Sequence, residues 1–212
     1  MNRLRAIAAA ALLFPASAAA QSVEISGGVA WTGGYEAGSR NATETANSST
    51  GGSPITLFTS SSRVKSVAGV DARVGVNFGS RVGVEGLFQF FQPELRVTLG
   101  SDFENALPEQ AVGSASTYLF GGSLVYHFGS GRIVPFLLGG GAYLRQLDED
   151  NAQVTTGNEV HGGGGVKIWL GSGAPRFGVR VDAQASVRST SPGFESTRRV
   201  LPAVNAGLIY RF

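Results

Sequence analysis

Phe177-Gly178-Val179-Arg180-Val181-Asp182-Ala183-Gln184-Ala185-Ser186-Val187-Arg188 is the stretch that decides the fold. Phe177, Val179, Val181, Ala183, Ala185 and Val187 share one parity, and Arg176, Arg180, Asp182, Gln184, Ser186 and Arg188 share the other. A period of two marks a β-strand with one apolar and one polar face. Such a run is about twice the usual ~5–6-residue strand. Its length suits a strand that crosses a membrane at a tilt, for which ~9–11 residues are needed.

Seven further runs repeat the pattern. Over about 22–33, Val23, Ile25, Val29 and Trp31 oppose Glu24, Ser26 and Thr32. Over about 64–78, Val64, Ala68, Val70, Ala72, Val74, Val76 and Phe78 oppose Lys65, Asp71, Arg73 and Asn77. Over about 82–98, Val82, Val84, Phe88 and Phe90 oppose Glu85 and Gln89, and Pro93 predicts a bulge or the rim of the sheet. Over about 114–128, Tyr118, Phe120, Leu124, Tyr126 and Phe128 oppose Thr117, Ser123 and His127. Over about 132–147, Phe136, Leu138, Ala142 and Leu144 are expected on the apolar face, with Tyr143 and Arg145 on the other. Over about 159–170, Val160, Val166, Ile168 and Leu170 oppose His161, Lys167 and Trp169. Over about 198–212, Val200, Val204, Ala206, Leu208, Tyr210 and Phe212 oppose Arg199, Asn205 and Arg211.

Four runs end alike, in Val76-Asn77-Phe78-Gly79, Tyr126-His127-Phe128-Gly129, Ile168-Trp169-Leu170-Gly171 and Ile209-Tyr210-Arg211-Phe212. The first three lead into short Gly/Ser turns at 79–81, 129–131 and 171–175, whereas 35–62, 99–113, 148–158 and 189–197 read as long polar loops. Short turns at one end and long loops at the other predict an eight-stranded antiparallel up-and-down barrel. Charges keep to one face of each strand. In a soluble barrel that face would look outward; the strand length and the aromatics at strand ends argue that it looks inward, with the apolar face in lipid. No later apolar run is long enough for a membrane helix, and among strand structures only a closed barrel satisfies every backbone group in lipid.

The first residues read as a secretory leader. Asn2-Arg3-Leu4-Arg5 is a positive n-region, Ala6 to Phe14 a short apolar core, and Ala18-Ala19-Ala20 a small-residue cleavage site, so residues 1–20 are expected to be removed and 21–212 to form one barrel domain. Taking Arg3 and Arg5 from the 17 basic residues leaves 15 against 15 acidic ones, a balance that argues against a nucleic-acid partner. Cys is absent, so no disulfide holds the fold. The Gly-rich stretches 139–141 and 162–165 lie inside strands, where Gly permits sharp curvature, and not before a helix that could hold a phosphate.

The whole stretch after the leader resembles the eight-stranded outer-membrane barrels of the OmpA and OmpX type. The resemblance is carried by the Ala18-to-Gln21 cleavage region, the alternating strands and the final Val204-Asn205-Ala206-Gly207-Leu208-Ile209-Tyr210-Arg211-Phe212. It implies a monomer in the outer membrane of a Gram-negative-type bacterium, with both termini in the periplasm. It also implies that Leu208, Tyr210 and Phe212 form the signal read by the barrel-assembly machinery. Some relatives carry a peptidoglycan-binding domain after the barrel; a chain ending at Phe212 is not expected to anchor to the cell wall.

An eight-stranded barrel is just wide enough for its own side chains. Glu24, Asp71, Arg73, Glu85, Lys167, Arg180, Asp182, Arg199 and Arg211 are expected to fill it as a charge network. If Phe78 faces Val82, Arg73 lies diagonal to Glu85. If Leu170 faces Phe177, Lys167 lies opposite Arg180 and diagonal to Asp182, while Glu24 and Arg211 meet at the closing seam. The expected function is structural or surface-interacting and non-enzymatic, with the lumen plugged; the alternative is a narrow gated pore, in which Arg180→Ala or Glu85→Ala raises conductance. His127 and His161 are expected to face inward, without a lipid-facing serine and acid to make a nucleophile–base pair. Neither has neighbours at metal-ligand spacing, and no cofactor is expected. Arg188, Arg198 and Arg199 lie near the outer rim, where they could meet lipopolysaccharide phosphates.

Overall fold

A computed structural model describes residues 21–44, 55–100, 109–148, 154–191 and 199–212. The expected leader lies outside the described residues. The chain forms β1 (Gln21–Thr32), β2 (Tyr35–Glu44), β3 (Ile55–Val64), β4 (Val67–Phe78), β5 (Val82–Phe91), β6 (Glu94–Gly100), β7 (Glu109–His127), β8 (Ile133–Asp148), β9 (Val154–Leu170), β10 (Phe177–Ser191) and β11 (Arg199–Arg211). Strands β1, β4, β5, β7, β8, β9, β10 and β11 close into an antiparallel eight-stranded barrel, with β11 returning to β1 and β7 paired to both β5 and β8. Every barrel strand thus has two neighbours, and no ladder is left open within it.

The short turns hold the expected register. Phe78 pairs with Val82, and Leu170 with Phe177. At the other end the structure corrects the expected loops. Residues 35–44 and 55–64 form β2 and β3, which pair with each other; β3 also pairs with β6, and β6 with the first residues of β7, giving a four-stranded sheet that continues beyond the barrel. Strand also covers 109–113, 154–158 and 189–191. These stretches are rich in Ser, Thr and Gly, and none of their described side chains is buried, so the period of two that reveals a half-buried strand is missing. Their backbone ladders hold them, helped by Thr59 Oγ1 donating to the Gly100 carbonyl at 3.0 Å and by the Arg63–Glu36 ion pair. The chain bends between barrel and extension at Gly33-Gly34, Lys65-Ser66 and Gln92-Pro93. Pro93, which has no N–H for a ladder, sits at the last of these.

Seven of the eight strands keep the expected parity. Val74, Leu124, Val160 and Leu208 lie on the outside, and Glu24, Asp71, Arg73, Glu85, Lys167, Arg180 and Asp182 face in. Strand β8 is inverted: Phe136, Leu138, Ala142 and Leu144 are buried in the lumen, while Leu137, Tyr143 and Arg145 face outward. Both parities of 133–144 are apolar or Gly, so alternation could not choose between them, and Arg145 alone decided it wrongly. Outward aromatics gather at two levels. Phe78, Tyr126, Phe128, Phe177, Tyr210 and Phe212 ring the short-turn end, with Tyr210 and Phe212 centroids 4.9 Å apart. Trp31, Phe88, Phe90, Tyr118, Phe120 and Tyr143 lie towards the other, where Phe90 and Tyr118 are 4.9 Å apart. A membrane barrel carries an aromatic girdle at each of its two interfaces.

Inward-facing glycines set the curvature. A Cβ on Gly140 would stand 2.0 Å from the Gly122 carbonyl oxygen, and one on Gly163 would stand 2.1 Å from that of Ala183. Neighbouring backbones approach there more closely than any side chain allows.

Candidate functional site

The lumen is filled from all eight barrel strands. On β1, even positions face inward and place Glu24, which is 4% exposed, at the seam opposite Arg211 of β11. Arg211 donates to Glu24 Oε1 from Nε at 2.9 Å and from Nη2 at 2.7 Å. Glu24 Oε2 accepts from Lys167 Nζ at 2.6 Å. Lys167, on β9, is 0% exposed; its ammonium also donates to His127 Nε2 at 2.9 Å and lies 3.6 Å from Glu85 Oε1. With Nε2 accepting, the neutral His127 ring carries its one N–H on Nδ1.

Glu85, on β5, joins this group to the next. Its Oε1 accepts from Arg180 Nη1 at 2.6 Å, and Oε2 lies 3.8 Å from Arg73 Nη1. Arg73 Nε donates to both Asp71 oxygens, at 3.0 and 3.1 Å, and Arg73 Nη2 lies 3.5 Å from Asp182 Oδ1. Arg180 Nε reaches Asp182 Oδ2 at 3.3 Å. Four cations, Arg73, Lys167, Arg180 and Arg211, thus meet four carboxylates, Glu24, Asp71, Glu85 and Asp182. Ions out of water need such partners, because a buried charge left alone is strongly unfavourable. Of the expected members, Arg199 stands opposite Arg188 on the backbone, and its side chain lies outside the described residues.

Several members were not singled out from the sequence. Gln89 donates to Asp71 Oδ2 at 2.9 Å and to Asn205 Oδ1 at 3.1 Å, and Asn205 donates to Asp182 Oδ1 at 3.1 Å. These amides stood on the polar parity, but nothing in their spacing tied them to particular acids. Phe136 is the larger omission, hidden by the inverted parity of β8. Its ring lies 4.6 Å from the Arg180 guanidinium carbon and 5.6 Å from Lys167 Nζ, so it walls one side of the ions with a π-face. At the short-turn end Arg211 stacks 3.9 Å over Trp169, itself packed with Val134 and Ile209.

Nearer the extension a second group forms. Ser123 Oγ and His161 Nε2 share a hydrogen bond of 2.8 Å, a contact the strand pattern did not reveal; both residues face the lumen and not lipid. Glu159 Oε1 lies 3.7 Å from His161 Nδ1, and Glu159 Oε2 accepts from Arg188 Nε at 2.6 Å. The order resembles a nucleophile–base–acid relay, yet 3.7 Å is too long for the base–acid hydrogen bond. Ser123, His161 and Glu159 are all buried. Two voids open beside the lumen, one bordered by Asp71, Arg180 and Asp182 and one by Thr117, Gln146 and Arg188; each admits about 10 Å³. Neither is lined by Ser123 or His161, and neither exceeds the room of about one water. Arg188, one of the expected rim cations, is committed to Glu159; Arg198 lies outside the described residues.

The architecture has solved counterparts. The outer membrane protein OprG from Pseudomonas aeruginosa superposes with a TM-score of 0.58 at 14% identity, over 92% of this chain and 97% of that one. Neisserial surface protein A, NspA, gives 0.54 at 10% identity, over 91% and 97%. At these identities the likeness is one of fold. A comparison with curated protein sequences finds no match. Residues 6–212 match the family model of the outer membrane protein beta-barrel domain. With that match spanning most of the sequence, and with the closed eight-stranded barrel, its outward apolar faces and its inward ions, this chain belongs to the outer membrane protein beta-barrel family and resides in the outer membrane.

Proposed function

We propose that this protein is a non-enzymatic barrel whose lumen is plugged by its own ions and whose work is structural or done at the surface, through the polar sheet beyond the barrel. One observation carries the reading: paired ions from β1, β4, β5, β9, β10 and β11 bridge the lumen. A hydrated ion or a sugar would have to part these pairs to cross. Proteoliposomes loaded with the mature barrel and challenged with arabinose are expected to swell no faster than empty liposomes. Swelling in proportion to protein would favour the alternative, a narrow gated pore.

The orientation follows from loop length. The short turns and both ends of the barrel chain, from Gln21 after a cleaved leader to Phe212, face the periplasm, and the β2–β3 hairpin faces outside. Ser61 lies exposed on β3 and Ser130 exposed in the turn after β7. In intact cells a membrane-impermeant maleimide is expected to label Ser61→Cys and spare Ser130→Cys; the reverse pattern would contradict this orientation.

Leu208, Tyr210 and Phe212 serve as the signal for the barrel-assembly machinery. All three lie on the outward row of the closing strand, Leu208 and Phe212 more than half exposed and Tyr210 edge-on to Phe212. A partner could read that row before the barrel closes. Phe212→Ala is expected to lower the amount assembled in the outer membrane several-fold while the purified chain still refolds in detergent. Unchanged assembly in cells would remove this role.

A further inference from the structure

Among the described residues of the eight barrel strands, one charged side chain stands on the outward parity: Arg145 of β8. It is exposed, and no acidic group among the described residues lies within ion-pair distance of it. A cation on the lipid-facing wall is strongly unfavourable at the middle of a bilayer and nearly free at its edge. Below Arg145 the outward residues of β8 are Ile133, Pro135, Leu137, Gly139, Gly141 and Tyr143. Their rise along the barrel axis is roughly 25 Å, at ~3.3 Å per residue and a tilt of ~40°. That equals the apolar band of an outer-membrane barrel, so Arg145 stands just above it, at the end that carries the extension.

Its neighbours suit an amphiphile. Arg145 pairs with Tyr118 of β7 on one side and with Thr156 of β9 on the other. One step lower on the same wall come Phe120, Tyr143 and Asn158, paired across the same three strands. The arrangement from top to bottom is a cation with hydroxyl groups, an aromatic shelf, and then an apolar wall. An outer-leaflet phosphoglycolipid presents the matching order: phosphate, sugar, acyl chains. Arg holds phosphate with parallel N–H donors and loses less to desolvation than Lys.

We propose that Arg145 binds a phosphate of lipopolysaccharide against the outer wall of β7, β8 and β9. Arg188, the cation closer to hand from the sequence, is already held by Glu159 in the lumen at 2.6 Å. The assignment to the outer leaflet rests on the orientation proposed above, but detergent micelles have no leaflets and test Arg145 without it.

The experiment measures binding of bisphosphorylated lipid A, and of the same lipid A after enzymatic dephosphorylation, to the refolded barrel in dodecyl maltoside by native mass spectrometry. Wild type is expected to prefer the phosphorylated form. Arg145→Gln, whose outward position leaves folding intact by heat-modifiable gel mobility, is expected to bind the phosphorylated form about tenfold more weakly and the dephosphorylated form unchanged. Arg145→Lys is expected to keep part of the preference, since the charge remains. A wild-type protein without preference, an Arg145→Gln protein that retains it in full, or an equal loss for both lipids overturns the proposal.

Discussion

Replacing Lys167 with Met is expected to lower the unfolding free energy of the barrel by about 3–5 kcal/mol, the usual consequence of removing one partner from a buried ion pair. Lys167 is wholly buried and serves three groups at once: Glu24 at 2.6 Å, His127 at 2.9 Å and Glu85 at 3.6 Å. Met matches the length of the stem but leaves Glu24 dependent on Arg211 alone, which is partly open to solvent. Glu85 retains Arg180 and Arg73. Most of the loss should therefore be carried by Glu24. The pair Lys167→Met with Glu24→Gln is expected to recover a measurable part of it, so that the double variant is more stable than the sum of the single effects allows. Urea titrations followed by tryptophan fluorescence measure all three. A single variant within about 1 kcal/mol of wild type would mean that Lys167 is not the junction of the network, since a surface pair contributes only that much.

Gly163→Ala is expected to prevent barrel closure, whereas Gly162→Ala, one residue away, is expected to fold as wild type does. The Cβ added at 163 points into the lumen and would stand 2.1 Å from a backbone oxygen of β10 and 2.7 Å from the Gln184 Cα. Backbone atoms cannot rotate aside, so relief requires β9 and β10 to separate, and their ladder runs unbroken from Phe177↔Leu170 to Ser191↔Thr156. The Cβ added at 162 points outward, where its nearest neighbour would be 3.8 Å away, an ordinary contact. Heat-modifiable mobility after refolding distinguishes the two. Equal folding of both variants would show that the barrel wall can flatten locally, and the curvature argument would fail.

The fold was legible wherever charge punctuated the alternation. Arg180 and Asp182 on β10, and Asn205 and Arg211 on β11, mark the lumen side of their strands without ambiguity, and short turns then set the pairing of neighbours. Strand β8 lacks such marks between Ile133 and Leu144, and its one charge belongs to the interface above the apolar band. Reading Arg145 as inward displaced Phe136 from the lumen and hid the wall of the ion cluster. The β2–β3 hairpin was not legible because its strands are held by backbone pairing rather than by an apolar face. Within the lumen, neighbour relations such as Lys167 opposite Arg180 follow from register. Arg188 and Glu159 likewise pair across one ladder, but two equally short ion pairs do not follow from it: Arg180 meets Glu85 from β5, and Lys167 meets Glu24 from β1, across the interior between strands that share no ladder. Which long side chains meet there depends on barrel width and side-chain reach. The Ser123–His161 contact, between strands separated by β8, escaped notice for the same reason.

Single-channel recording of the refolded protein, residues 21–212, in a planar bilayer tests the plugged lumen most directly. With folding verified by gel mobility, the protein is expected to insert and stay silent, because its interior is bridged by paired ions. Discrete, reproducible openings in the wild-type protein would contradict the account and turn the inward ions from a plug into the lining of a path.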